Sequence, residues 1–280
     1  MKFPGIILFL LCIIHSGFSQ TQSDLQQISR KGNIYIYWGW NRGWFSKSDI
    51  HFKSSNYDFI LKQVVSQDKP TRFTVNNYLN PFNATIPQTD FRIGFFISNN
   101  YALSAGFDHM KYVVLRDQVA KISGYISNTE TVYDKIYSNE DIHITPDFLK
   151  FEHTNGLNYI NMDVRRFDEI LNLNKIKINL TEGIGAGMLI PKTNTTLFDK
   201  NNNDEYHISG YGISAVIAVN ISFFKYFFIQ SELKNGFINM PDIRITSNDT
   251  DKASQNFLFT QFNIVLGANF RLHHNPEQAR

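Results

Sequence analysis

The stretch QFNIVLGANFRL, residues 261–272, decides how this chain folds. Phe262, Ile264, Leu266, Ala268, Phe270 and Leu272 fall on one face, while Gln261, Asn263, Gly267, Asn269 and Arg271 fall on the other. Strict period two makes this a strand with one apolar side and one wet side. An apolar side can meet a protein core or lipid, so the rest of the chain has to choose between them.

Working outward, tight connections alternate with long ones. Ile97 turns through Ser98, Asn99 and Asn100 into Tyr101; Phe167 turns through Asp168 to Asn174 into Lys175; Ser222 turns near Lys225 into Phe227. Long polar stretches lie between, roughly Ser54 to Ala84, Arg116 to His153, Pro191 to Asp204 and Phe237 to Asn256. Short periplasmic turns and longer external loops are the grammar of outer-membrane barrels. Ascending strands then start at Asn33, Tyr101, Lys175 and Phe227, and descending ones end at Ile97, Phe167, Ile221 and Leu272. The expected fold is an all-β, eight-stranded antiparallel up-and-down transmembrane barrel with both termini periplasmic. The first strand keeps its parity from Ile34 through Trp44 to Ile50 and Phe52, so it should project above the membrane.

The ends of the chain agree. Lys2, an apolar run from Ile6 to Ile14, then Gly17 and Ser19 read as a secretory signal cut near Ser19 or Gln20. Cys12, the only cysteine, lies in that run beside the bulky Leu10 and Leu11, where an acylated signal needs a small residue. No disulfide is then expected in the mature chain. The expected organisation is a signal peptide (1–19), an N-terminal periplasmic segment (20–32), a barrel (33–272) and a polar tail (273–280). No later run is apolar over the ~20 residues a spanning helix needs. A net charge of +2 without a basic run argues against nucleic acid as a partner. The rival fold is a soluble sandwich or lipocalin-like barrel, with its apolar face inside. The export signal, the terminal aromatic and the alternation of turn lengths favour the membrane barrel.

Eight strands enclose an interior that side chains fill. The inward set is Asp90, Arg92, Ser104, Asp108, Asn161, Asp163, Arg165, Lys175, Lys177, Asn179, Gln230, Glu232, Lys234, Asn263, Asn269 and Arg271. Bare burial of charge costs several kcal/mol, so Arg92, Arg165, Lys177 and Lys234 should pair with Asp90, Asp108, Asp163 and Glu232 in a network that plugs the lumen. Trp38, Trp40 and Trp44 share the lipid face, with Tyr101 and Phe270 at the opposite rim, as interface aromatics.

On this pattern, the signal and the last strand, the chain resembles the small outer-membrane barrels typified by OmpA, OmpX and OmpW. The GFSQ ending of the signal and the richness in Asn, Ile and Phe resemble a Bacteroidota protein. The resemblance implies a monomer among outer-membrane lipid and lipopolysaccharide, inserted by barrel-assembly machinery. Its members include anchors, adhesins, conduits and lipid A enzymes, so it leaves the function open.

The candidate chemistry is sparse. His109, in GFDHMKY (106–112), shares parity with Leu103, Ala105 and Phe107, which points it and Lys111 toward lipid near the outer leaflet, with Thr89 beside it. A lipid A deacylase would need a His, a Ser and an acid together, and the serine is missing. Glu152 and His153 mark the entry of the second long loop into its strand. Glu182 interrupts the lipid-facing series Ile176, Ile178, Leu180, Ile184, so a bulge at Gly183 is expected to turn it inward. Gly183, Gly185 and Gly187 read as interior positions that leave space for a neighbouring large side chain. Asp199, Asn201, Asn203 and Glu205 have calcium-loop spacing, but Asp204 and Gly210 occupy the places of the turn glycine and the closing glutamate. His273 and His274 lie on a tail too loose to hold a metal, and Asn83, Asn194 and Asn248 mark Asn-rich loops. No cofactor and no metal are expected. The first functional reading is a non-enzymatic structural or surface-interaction barrel with a plugged polar interior. The alternatives are a lipid A acyl hydrolase or transferase using His109, and a narrow small-solute channel.

Overall fold

Residues 261–271 lie in the last strand of a computed structural model that describes residues 29–271 apart from 84–85, 174 and 204. The expected signal peptide, Leu272, and the tail with His273 and His274 lie outside the described residues. The strands are β1 (Asn33–Phe45), β2 (Ser48–Lys53), β3 (Tyr57–Val64), β4 (Ser66–Gln67), β5 (Thr89–Phe96), β6 (Tyr101–Val114), β7 (Val119–Ile126) and β8 (Lys135–His143). They continue as β9 (Leu149–Leu173), β10 (Ile176–Leu189), β11 (Asn194–Leu197), β12 (Lys200–Asn203), β13 (Gly210–Phe223), β14 (Phe227–Arg244) and β15 (Lys252–Arg271). Among the described residues, a short α-helix, α1 (Val75–Leu79), and a 3-10 turn (Pro81–Asn83) lie between β4 and β5.

Eight of these strands close a ring in the order β1, β5, β6, β9, β10, β13, β14, β15, and β15 returns to β1 from Asn33↔Arg271 to Phe45↔Phe259. Every step is antiparallel, as short turns between neighbours require. Closure leaves no backbone edge to meet hydrocarbon. The second descending strand, β9, runs past the expected end at Phe167 to Leu173. Ile178 faces Leu171 while Asn179 faces Glu169, so Ile170 is the extra residue of a bulge.

Around the ring an outward belt is apolar and bare: Phe91, Ile93 and Phe95 on β5, Ile160, Met162 and Val164 on β9, Phe262, Ile264 and Leu266 on β15 are each at least 40% exposed. Such a continuous surface is not left to water. With the closed ring it sets the protein in the outer membrane.

Above the belt the sidedness of the wall inverts. In β15 the inward residues read Ala253, Gln255, Phe257 and Phe259, then Gln261 and Asn263, then Val265, all buried. One strand thus contributes an apolar layer at the external end, a polar layer in mid-barrel and an apolar layer again toward the periplasm. The external layer belongs to a core shared with Ile50, Phe52, Phe59, Leu61, Tyr112, Ile122, Phe148, Phe151 and Ile238. Outside the bilayer the solvent is water, so the ordinary arrangement of apolar inside and polar outside applies again.

Two expectations fail here for that reason. The stretches taken for polar loops carry β3, β4, β7, β8, β11 and β12, and the ring sheet continues beyond β15 through β2, β3, β7 and β8. Ile50 and Phe52 do not continue the lipid face of the first strand but are wholly buried in the external core. Ser46 and Lys47 separate β1 from β2, and the alternation restarts one residue out of phase, with Phe45 packed inward below the break and Ser48 buried above it. Ser46 holds the break in place, its N–H donating to the Leu258 carbonyl at 2.8 Å and its Oγ accepting from the Leu258 N–H at 3.0 Å.

Candidate functional site

Two places bring chemistry-bearing side chains together: the middle of the lumen, and a groove on the outer wall.

In the lumen, Arg92 of β5 and Arg165 of β9 are completely buried. Arg92 donates from Nε to the Tyr37 hydroxyl at 2.9 Å, from Nη1 to Ser104 Oγ at 3.1 Å and from Nη2 to Asn161 Oδ1 at 2.5 Å, and its Nη1 lies 3.0 Å from Asp163 Oδ2. Arg165 donates from Nε and Nη2 to Asp163 Oδ2 at 3.1 and 2.9 Å, and from Nη1 to Glu232 Oε1 at 2.6 Å. Lys234 Nζ donates to Asp108 Oδ2 at 2.5 Å. Glu232 also accepts from the Tyr37 hydroxyl at 3.0 Å and from Asn263 Nδ2 at 3.2 Å. Asp90 is held by amides, Asn41 Nδ2 at 2.9 Å and Gln261 Nε2 at 3.3 Å. A low-dielectric interior makes such pairing obligatory, since a lone buried charge costs several kcal/mol.

Lys177 stands apart from this network. It pairs with Glu169 at 2.7 Å, where the two line a cavity of about 100 Å³ at the periplasmic mouth. Arg30, from the segment before β1, enters the same mouth and donates to Asn179 Oδ1 at 3.0 Å. The cavity is lined by Tyr35, Phe96, Phe167 and Phe228, members of a periplasmic aromatic layer whose Phe96 and Phe167 ring centroids lie 5.0 Å apart. The wall makes room for these groups: a Cβ on Gly94 would lie 2.1 Å from the Tyr35 ring, and one on Gly185 would lie 2.1 Å from Asp163 Oδ1. Gly183 similarly crowds Arg165, whereas Gly187 faces the backbone of Ile160 and Asn161.

Glu182 does not turn inward. The β10 ladder is regular from Asn179 to Leu189, with no bulge at Gly183. The buried Thr181 therefore marks the inward parity, and Glu182 sits outward, directly across from Arg166 of β9. Arg166 is at the level of Tyr101, the first residue of β6, and pairs with Asp168 at 2.8 Å. An outward carboxylate is tolerable there because it has a cross-strand cation for a neighbour.

On the outer wall, Trp38 and Trp40 pack outward, tilted at 59° with centroids 5.1 Å apart, and Trp44 is more than half exposed. Tyr101 and Phe270 are exposed at the opposite end. Just above Phe107, His109 also faces out. Its ring Nδ1 meets Asn158 Oδ1 of the neighbouring strand at 2.8 Å, and Asn158 Nδ2 donates to the Ile190 carbonyl at 3.0 Å. His109 is 3% exposed, yet its Nε2 has no hydrogen-bond partner among the described residues. One step along β6, the ladder changes register: Met110 faces Leu157 and Tyr112 faces His153. Three residues of β9, Thr154 to Gly156, stand opposite Lys111 alone, with Gly156 at a φ of +124° that side chains disfavour. The result is a groove of about 730 Å³ lined by His109, Lys111, Thr154, Asn155, Lys192 and Tyr206 among others.

His153 and Glu152, by contrast, belong to the external module. His153 is fully buried against Tyr112 and Phe151, with Thr193 Oγ1 3.1 Å from its Nδ1. Burial pushes its imidazole down to about 3. Glu152 lies 3.4 Å from Lys69 and 3.2 Å from Lys150. Asp199 and Asn201 flank a hairpin rather than a calcium loop. Phe198 and Asp199 take positive φ between β11 and β12, as a two-residue turn requires, and Asn201 accepts from Thr196 Oγ1 at 2.5 Å.

Parity in β1 could have revealed Tyr35 and Tyr37, since they alternate with Ile34, Ile36 and Trp38. Asn158 lies directly across from His109 in the regular β6–β9 ladder, whereas Lys192 and Tyr206 could not be found by parity, because they lie on connections that hydrogen-bond to the bulge residues Gly156 and Asn155.

Comparison with solved structures finds small outer-membrane β-barrel proteins. The attachment invasion locus protein Ail of Yersinia pestis is 10% identical with a TM-score of 0.33, covering 86% of this chain and 99% of that one. OprG of Pseudomonas aeruginosa is 9% identical with a TM-score of 0.38, covering 86% and 97%. AlkL is 8% identical with a TM-score of 0.39, covering 92% and 99%. No protein-family model matches the chain, and no curated protein matches it.

Proposed function

We propose that this chain is a non-conducting outer-membrane barrel that presents a rigid, strand-built module at the cell surface for contact with other molecules. The observation that carries the reading is the filling of the lumen over its whole length. Aromatic rings of Tyr35, Phe96, Phe167 and Phe228 stand at the periplasmic end, the Arg92, Arg165 and Lys234 network in the middle, and Tyr112, Tyr159, Phe257 and Phe259 at the external end. A solute would have to part three layers, one of them charge-paired. The external module supports the surface role: its own apolar core holds its shape without lipid, and β8 closes the sheet path with Val119 and Ile136 exposed beside it. Among the described residues, the acyl-hydrolase alternative has no nucleophile hydrogen-bonded to His109 to support it.

Planar-bilayer recording of the reconstituted chain tests the reading. No conductance steps are expected, and stable discrete steps would replace it with the channel alternative. Lipid A from cells with and without the chain should show the same acylation pattern by mass spectrometry.

A further inference from the structure

The groove on the outer wall carries an inference that does not depend on whether the barrel conducts. Among the described residues, its two cations have no carboxylate directly on them. Lys111 Nζ donates to Thr71 Oγ1 at 3.0 Å and to the Ile86 carbonyl at 2.6 Å, and Lys192 Nζ lies 5.6 Å from the centre of the Tyr206 ring. Asp68, the carboxylate whose field reaches Lys111, is occupied by the Gly43 N–H at 3.1 Å and by Gln88 Nε2 at 2.6 Å. His109, 97% buried, lines the same groove, and its Nε2 lacks any partner among the described residues. Burying a polar nitrogen without a partner is costly, so a ligand atom that meets it gains a hydrogen bond at little further desolvation cost.

The level of the groove says what that ligand is. Phe107, one of its walls, continues the row of Phe91 and Ile160 in the apolar belt. Thr71 and Ile86, on the far side, belong to the segment around α1, which packs Tyr78 against the outward Trp40 at 5.9 Å and exposes Phe73, Val75, Leu79 and Phe82. The groove thus opens where acyl chains give way to headgroups, with apolar surface on two sides of it.

We propose that it binds the phosphate of an outer-leaflet lipid, with Lys111 and Lys192 pairing the phosphate charge, His109 taking up a proton on Nε2 as the phosphate arrives and donating a hydrogen bond from it to a phosphate oxygen while its Nδ1–H stays on Asn158 Oδ1, and the acyl chains lying on the belt below.

The test is native mass spectrometry of the whole chain in neutral detergent with three probes: bis-phosphorylated lipid A, the same lipid dephosphorylated, and inorganic phosphate. The phosphorylated lipid should be retained at least tenfold better than the dephosphorylated one. Each of Lys111→Gln and Lys192→Gln should weaken it about fivefold, the worth of one cation near a lipid surface. Lys192→Gln changes a half-exposed side chain, and heat-modifiable migration on a gel confirms that each variant is folded. Equal retention of the two lipids, in the wild type alone, overturns the proposal. Displacement by inorganic phosphate at matching concentration overturns the lipid as its source and leaves a free-anion site.

Discussion

Arg165 and Glu232 meet across the lumen, Nη1 to Oε1 at 2.6 Å, although β10 and β13 stand between their strands in the ring. Both are fully buried, so the pair ties opposite walls where no backbone hydrogen bond can. Glu232→Ala leaves Arg165 with Asp163 alone and should destabilise the barrel by about 3 kcal/mol. Urea unfolding in lipid vesicles, followed by Trp fluorescence, measures it. The double variant Arg165→Met with Glu232→Met should cost less than the sum of its parts, and additive losses would show that the two residues are not coupled.

Gly94 and Tyr35 test the packing of the periplasmic layer. A methyl group on Gly94 collides with a ring already wedged between Phe96 and Phe167 at 5.7 Å from each. Gly94→Ala is expected to lower stability by about 1–3 kcal/mol. Adding Tyr35→Leu should recover part of that loss in the same unfolding assay.

The inversion of sidedness predicts opposite rules at two heights of one wall. Ile264→Arg puts a charge on the lipid face and should cost about 2–4 kcal/mol toward the bilayer midplane. Phe59→Ala empties a site in the external core and should cost about 3–5 kcal/mol, read as faster proteolysis of the external module while the membrane ring stays intact. If Phe59→Ala instead unfolded the ring and spared the module, the two layers would not be distinct.

His153 makes the external module sensitive to acid. Its folded value of about 3 lies below the ordinary histidine value, because burial penalises the imidazolium. Between pH 6.5 and 3 the unfolded state therefore binds the extra proton, and stability falls as pH falls, by about 1.4 kcal/mol for each unit well inside that window. Hydrogen-exchange protection of β3 and β7 should drop from pH 7 to pH 4. His153→Gln should flatten that dependence.

Much of the fold was legible because hydrophobic alternation and turn spacing are local. Eight ring strands, the outward set Phe262, Ile264 and Leu266, and the inward parity of Arg92 and Arg165 can all be counted along the chain. Ile50 and Phe52 were misplaced because counting assumes an unbroken ladder, and two residues off the ladder reset the phase. Glu182 was misplaced by the reverse error, a bulge inferred to spare a carboxylate that has Arg166 for a neighbour. The groove was half visible: His109 and Lys111 can be placed by parity, while Asn158 arrives from β9 some fifty residues later and Lys192 from the connection after β10 some eighty residues later.

Period two by itself determined that this chain is built of strands with one apolar and one polar side, since alternation is a property of the extended backbone, and the spacing of its turns gave their number. Tertiary structure alone decided which solvent each side meets at each height, and which charges become partners. Those depend on shear between distant strands and on where the bilayer ends, neither of which is written in any single segment.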